Sequence, residues 1–399
     1  MAVSTITTMS NALKDIYLDP ITKMINEQSG PVLAAIEKSS DDVKAGTIKF
    51  AAQYGRHGGI GAIAEDGDLP DASPRKYLQG TTGTKNLVGR INFTEKLMLI
   101  SKNDKASFVD QVATQMEDIT NDIRDMMRRN MMGTQEGIMA TVKSNVSSST
   151  DVYIKDDDNI KTFYAGQRID IVTVSGGAIT STKINGGYIA DVDYVNNKIV
   201  LTASGSCAAN DVIVLHGNYG KELIGLKEIL TLNNTIYGIN RANNKWFNAQ
   251  LFDHTSSGNT VAFNSLYLQE AIDEIDDYTG AKPNFICCNA AMQRAYIQEQ
   301  NTYKRNIEYK EVDGGYKTIA YNDVAISKEK YMKDSDFYII NTDDFTLAQV
   351  ADWGWLDADG AILSRVANKA AYEAALTKYC ELICRKPASQ AKVTGITPA

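Results

Sequence analysis

Three histidines, His57, His216 and His254, are all that the chain offers for imidazole chemistry, and they fall in three different predicted elements without metal-ligand spacing. A His-based hydrolytic site is therefore not expected. The five cysteines are Cys207, Cys287, Cys288, Cys380 and Cys384. Their number is odd, one pair is vicinal and the other is separated by three residues, so neither a disulfide framework nor a CxxC redox or zinc motif is present. Buried, reduced thiols in a cytosolic setting are the natural reading. Gly59-Ile60-Gly61-Ala62-Ile63-Ala64 matches the dinucleotide fingerprint after a predicted strand. That fingerprint has to open a helix whose N-terminus holds the pyrophosphate, and Gly67, Pro70 and Pro74 follow instead. Asp357-Ala358-Asp359-Gly360 has the look of a calcium loop, yet counting from Gly360 puts Trp355 and Val366 where the first and the bidentate ligands belong. Asp273, Glu274, Asp276 and Asp277, like Asp156, Asp157 and Asp158, read as solvated faces. No catalytic residue, cofactor or metal is expected. Two small basic groups remain, Arg124, Arg128 and Arg129 in one predicted helix and Arg75 with Lys76 in a loop, each suited to phosphate or to a neighbour's carboxylates.

The elements that carry these residues change character along the chain. Residues 10–39 are amphipathic, with Leu13, Ile16, Tyr17, Ile21, Met24 and Ile25 at helical spacing around Pro20. They form an expected arm whose apolar stripe suits a neighbouring subunit as well as its own core. Over 46–100 the pattern predicts a strand at 47–54, a Gly- and Pro-rich stretch, and a second strand at 85–100: a two-stranded excursion with its tip near 65–79. An isolated hairpin buries too little to stand alone and has to lie on another surface. Residues 104–141 carry Phe108, Val112, Met116, Ile119, Ile123, Met126 or Met127, and Met131 at three- and four-residue intervals, which predicts one long helix weakened late by Gly133 and Gly137.

Residues 145–220 read differently again, as short Val-, Ile- and Thr-rich strands separated by Gly176-Gly177, Gly186-Gly187 and Asn196-Asn197. This is the pattern of a small β-barrel or sandwich, taken as an inserted domain. After Leu223 the chain alternates: a helix at 265–278, an apolar strand at 285–288, a helix at 290–300, and strands at 337–341 and 346–350. The run 361–386 leans towards strand because β-branched and aromatic residues crowd its second half.

Composition sets the outer bounds. The chain has 399 residues, 43% of them hydrophobic, enough for more than one domain. Lys and Arg number 41 against 49 Asp and Glu, a net charge of −8, so no global field draws nucleic acid. No apolar run reaches membrane-spanning length, and the first residues lack the basic-then-apolar pattern of a secretory signal.

In order, the arm, the Gly-rich excursion and the long helix resemble the HK97-like major capsid protein family of tailed phages. More specific are Leu223-Ile224-Gly225-Leu226 with Thr235-Ile236-Tyr237-Gly238-Ile239-Asn240-Arg241-Ala242 and Trp246, similar to the family's segment downstream of its spine helix. Tyr321-Asn322-Asp323-Val324-Ala325-Ile326, followed by 337–341, is similar to a later strand–loop–strand passage. The resemblance implies an α+β, HK97-like capsid fold. Its parts would be an N-arm (1–45), an E-loop with flanking strands (46–100), the spine helix of a P-domain (101–144), the inserted β-domain (145–220), mainly A-domain (221–350), and C-terminal strands and tail (351–399). It further implies a subunit that assembles into hexamers and pentamers around double-stranded DNA in a virion built in the host bacterial cytoplasm. Expected partners are other copies, a portal, a separate scaffolding protein and decoration proteins, with no membrane. The inter-subunit contacts would draw on Leu13, Ile16, Tyr17, Arg75, Lys76, Tyr77, Arg124, Arg128 and Arg129. Lys76 and Lys85 are placed for the loop-lysine cross-link of some family members, without identifiable partners. The rivals are an encapsulin-type nanocompartment and, from another class, an α/β enzyme or carbohydrate-binding protein.

Overall fold

The computed structural model describes residues 30–55, 57–65, 67–71, 74–96, 105–155, 158–302, 308–312, 316–357 and 362–399. Its long helix runs from Lys105 to Met132, about 42 Å at the standard rise per residue. Met116, Ile119, Ile123, Met127 and Met131 form its buried line. Phe108 and Val112 precede its described side chains. The line rests on the strand Lys85–Thr94, and the approach is close at Gly89, where a Cβ would lie 2.5 Å from Ile123 Cδ1. The helix stops nine residues short of the expected 141. Gly133 follows its last turn, and the chain returns across that end at Gly225, where a Cβ would meet the Asn130 carbonyl oxygen at 2.4 Å. No continuing turn fits against a backbone crossing that near.

The strand Lys85–Thr94 does not belong to the excursion. It pairs antiparallel with Ala371–Cys384, which also pairs with Phe345–Trp355, and Glu37–Ser39 lies parallel to the far side of Phe345–Trp355. With Ser364–Arg365, these strands make the first sheet, and the strand at 371–384 falls within the 361–386 run. The excursion's second strand is Lys76–Gly83, paired over its full length with Thr47–Tyr54, so the tip is 55–75 instead of 65–79. The glycines at 80 and 83 hid this strand, since they lower β propensity. Gly80 is needed there: a Cβ would sit 2.5 Å from the Phe50 ring opposite.

Residues Ile138–Leu215 form a six-stranded sheet, beginning seven residues before the expected 145. Its end strands meet through the bridge Val142↔Ile154 and the bonds Lys143 N to Tyr153 O (2.8 Å) and Lys155 N to Thr141 O (3.0 Å), which closes the sheet into a small barrel. The barrel encloses its own core, including Val142, Val152, Ile154, Phe163, Ile169, Ile171, Ile199 and Ile213.

Beyond it, seven strands form a mixed sheet in the order Gln250–Asp253, Ala391–Thr394, Phe337–Ile340, Phe285–Cys288, Val324–Lys328, Tyr316–Tyr321, Glu308–Val312. The helices Leu266–Thr279 and Ala290–Thr302 pack on one face with Ile286, Cys288, Ile326 and Ile339. Phe285, Cys287, Tyr338 and Ile340 point the other way, into the main core shared with the long helix. Successive side chains of a strand face opposite sides. The vicinal cysteines are therefore split across the sheet, and all five cysteines are buried and free. Burial pushes the thiols of Cys287 and Cys288 up, away from reactivity.

Candidate assembly interface

Gly30 has a φ of +123° that suits only glycine, and a Cβ there would lie 3.0 Å from Arg128 Nε. A short helix follows, Pro31–Ala35, burying Val32 and Leu33, and then Ile36. Arg128 donates from Nη2 to Glu329 Oε2 at 3.2 Å beside Gly30. Burial raises the Glu329 carboxyl, and the Arg128 guanidinium pulls it back. Leu13, Ile16 and Tyr17 lie outside the described residues.

The hairpin alternates along both strands. Ile48, Phe50, Ala52 and Tyr54 turn inward with Leu78 and Gly80, while Lys49, Ala51, Gln53, Tyr77, Gln79 and Thr81 turn outward. Phe50 meets the Tyr237 ring edge-on at 5.3 Å, and Tyr54 stacks on Trp246 at 4.7 Å. The inner face thus has an intramolecular home. The tip does not: Ile60 is 84% exposed, Leu69 82% and Ile63 49%. Arg75, Lys76 and Tyr77 are exposed at its base. The Gly59–Ala64 fingerprint lies in this tip as irregular chain, with no helix directly following it among the described residues.

The basic residues of the long helix are placed differently. Arg128 and Arg129 are both engaged within the subunit, Arg129 with Glu222, where the side chains are only 11% and 4% exposed. Arg124 is half-buried. Arg128 and Arg129 thus meet partners within the subunit, while Arg75, Lys76 and Tyr77 are exposed at the base of the tip.

Between helix end, hairpin and first sheet lies a polar junction that no sequence motif announces. Arg241 is fully buried and donates to the carbonyls of Ile229 (2.7 Å) and Glu228 (3.0 Å), to that of Thr231, and to Asn234 Oδ1. Burial brings its guanidinium down to about 10. Glu228 accepts from Gln135 N at 2.6 Å, and burial holds its carboxyl above the usual range. Glu381 is fully buried in Ala371–Cys384, with Oε1 accepting from Ile224 N (2.9 Å) and Leu382 N (3.0 Å) and Oε2 without a partner. Burial pushes this carboxyl up to about 8, against the pull of the two amides and Lys85. Lys378, also buried, pairs with Asp352 at 2.7 Å. Local sequence does not say which polar residues turn inward, whether in a helix (Glu228), a turn (Arg241) or a strand (Lys378 and Glu381).

The remaining chemistry-bearing residues stay dispersed. His216 bonds Asp170 at 2.8 Å in the barrel, His254 stacks on Tyr267, and His57 is in the tip. Asp273, Glu274, Asp276 and Asp277 sit on the exposed side of their helix. A cleft of about 300 Å³ separates the end of the long helix, the barrel and the seven-stranded sheet, and the pairs Arg129–Glu222 and Lys392–Asp336 stand in its wall.

No protein-family model matches the chain, and no curated protein matches it. Solved structures do. A subunit of the cyanophage A-1(L) capsid is similar with a TM-score of 0.58 at 9% sequence identity, covering 92% of this chain and 92% of that one. The capsid of an empty GTA particle gives a TM-score of 0.50 at 10% identity, with 92% and 90% covered. The holo-SrpI encapsulin complex from Synechococcus elongatus gives 0.43 at 10% identity, with 90% and 85% covered. The chain has an α+β fold of the HK97-like capsid type.

Proposed function

We propose that this chain is a structural shell subunit, the major capsid protein of a tailed-phage head, and not an enzyme. The observation that carries the reading is the hairpin tip at 55–75, which displays Ile60, Ile63 and Leu69 to solvent on a subunit with a capsid fold. Exposed apolar groups of this size on an extended strap are unfavourable in a monomer and favourable when a symmetry copy covers them. In this reading the tip, with Arg75, Lys76 and Tyr77 at its base, lies on the next copy. The arm, with Leu13, Ile16 and Tyr17, reaches another. The hexamers and pentamers so built close around double-stranded DNA, with a portal, a separate scaffolding protein and decoration proteins as further partners. The virion capsid, assembled in the host cytoplasm, is its location. The net charge of −8 suits a wall that encloses DNA without adhering to it.

Light scattering with negative-stain imaging of the purified protein, over a range of loadings, tests this. Hexamers, pentamers or closed polyhedra are expected. A compact monomer at every loading would overturn the reading, and closed particles that hold a protein cargo and no nucleic acid in the native host would replace the phage head with a nanocompartment.

A further inference from the structure

The chain reverses at Tyr237-Gly238, between the two-residue strands Thr235–Ile236 and Ile239–Asn240. Both turn residues have positive φ, +52° and +74°. A two-residue hairpin turn of this kind asks for such angles and is ordinarily filled by Asn, Asp or Gly. A bulky aromatic in the left-handed region is an outlier that persists only where its surroundings over-determine it.

The surroundings of Tyr237 do so from two sides. Its hydroxyl donates to Leu382 O at 2.9 Å and accepts from Cys384 N at 3.1 Å, which fixes it to the strand Ala371–Cys384 at the centre of the first sheet. Its ring takes the edge of Phe50, and its carbonyl accepts from Thr81 N at 2.8 Å, which fixes it to both strands of the hairpin. At 3% exposure the side chain is out of solvent. The hairpin also seats Ile48 on Ala348 and Ile383 and stacks Tyr54 on Trp246, and Tyr237 adds a tie that joins both of its strands to the first sheet. At the hairpin's base Val43–Lys44 pairs antiparallel with Thr47–Ile48 around a turn at Ala45 (φ +51°) and Gly46 (φ +72°), and Thr84 N bonds Gly46 O at 3.2 Å where the other strand leaves.

We propose that Tyr237 is the positioning residue that sets the angle of the hairpin against the first sheet, a latch that ties both hairpin strands to the strand Ala371–Cys384. A tyrosine is used in a turn where asparagine would be less strained because only a long side chain with a terminal hydroxyl reaches the sheet while its backbone holds the strap. Presentation of the strap to a neighbouring copy in one orientation follows, and that consequence alone rests on the shell-subunit reading.

Amide hydrogen exchange on the full-length, unassembled chain tests the latch. Tyr237→Phe removes both hydroxyl bonds and keeps the ring, and loss of one to two buried hydrogen bonds corresponds to about tenfold faster opening. Exchange in Thr47–Tyr54 and Lys76–Gly83 is expected to accelerate by that factor, with the seven-stranded sheet unchanged. Tyr237→Asn suits the left-handed turn and removes the ring as well, so it keeps the fold and releases the hairpin further. Tyr296→Phe, which breaks the buried bond from Tyr296 Oη to Ala320 O (3.0 Å) in the seven-stranded sheet, is the control and is expected to leave the hairpin protected. Hairpin exchange unchanged in both Tyr237 variants, or accelerated equally by the control, would overturn the latch. A wild-type chain that never assembles, while the Tyr237 variants still free the hairpin, would overturn the shell reading and leave the latch standing.

Discussion

Glu381 shows how a single carboxyl can tie stability to pH. Its folded-state value of about 8 stands above the ordinary 4.5 because burial disfavours the anion more than two amides and Lys85 favour it. The native state therefore holds this proton more tightly than the unfolded chain does. The stability so gained is fully present below about 4.5 and is lost as pH rises through about 8. Glu381→Gln keeps the shape and removes the titration. Thermal melting from pH 5 to 9 is expected to show a shallower decline in the variant than in the wild type, and parallel curves would remove Glu381 from the pH dependence. Gly225 makes a steric demand instead. A methyl group there meets the Asn130 carbonyl and the Gly133 backbone, neither of which is the end of a flexible side chain. Gly225→Ala is expected to cost about 1–3 kcal/mol through overpacking, read from denaturant midpoints at unchanged slope.

At the scale of elements, the hairpin and the barrel differ in what they can do alone. The hairpin strands bury one face on Tyr237 and Trp246, and none of the described residues of the tip is buried. The double change Ile60→Asp and Leu69→Asp is therefore expected to leave the circular dichroism and melting of the subunit unchanged and to abolish or strongly slow particle formation. Normal particles from this variant would mean that the tip is not a contact. The barrel has a separate core and a closed ring of strands, joined to the rest through the two chain crossings near 135–137 and 220–222. Residues 138–216 expressed alone are expected to melt cooperatively with a β-type spectrum, marginally stable for their size. A featureless thermal profile would show that the neighbouring elements are needed to hold it.

For the whole molecule, the sum of charges matters more than any pair. Copies that each carry −8 repel one another as they approach, while the apolar tip attracts at contact range. Salt screens the first effect and leaves the second. The protein concentration at which particles appear is expected to fall as sodium chloride rises from about 50 to 300 mM, where the Debye length shrinks towards the contact distance. A threshold that rises with salt would point to assembly driven by cross-subunit ion pairs, with Arg75 and Lys76 the first residues to replace.

Sequence by itself determined the parts whose signal is local. The helical stripe from Met116 to Met131 and the strand-rich character of 145–220, with turns at Gly176-Gly177 and Asn196-Asn197, follow from side-chain types over a few residues. Gly186-Gly187, expected to separate two strands, lies instead inside the single strand Ala178–Asp193. Tertiary structure decided what depends on residues far apart in the chain. The helix ends at Met132 because Gly225 crosses there, Lys85–Thr94 leaves the excursion because Ala371–Cys384 is available to pair with it, and Arg128 and Arg129 turn inward because Glu329 and Glu222 meet them. Periodicity records which face of an element is apolar, and it carries no record of what that face or a buried charge will meet.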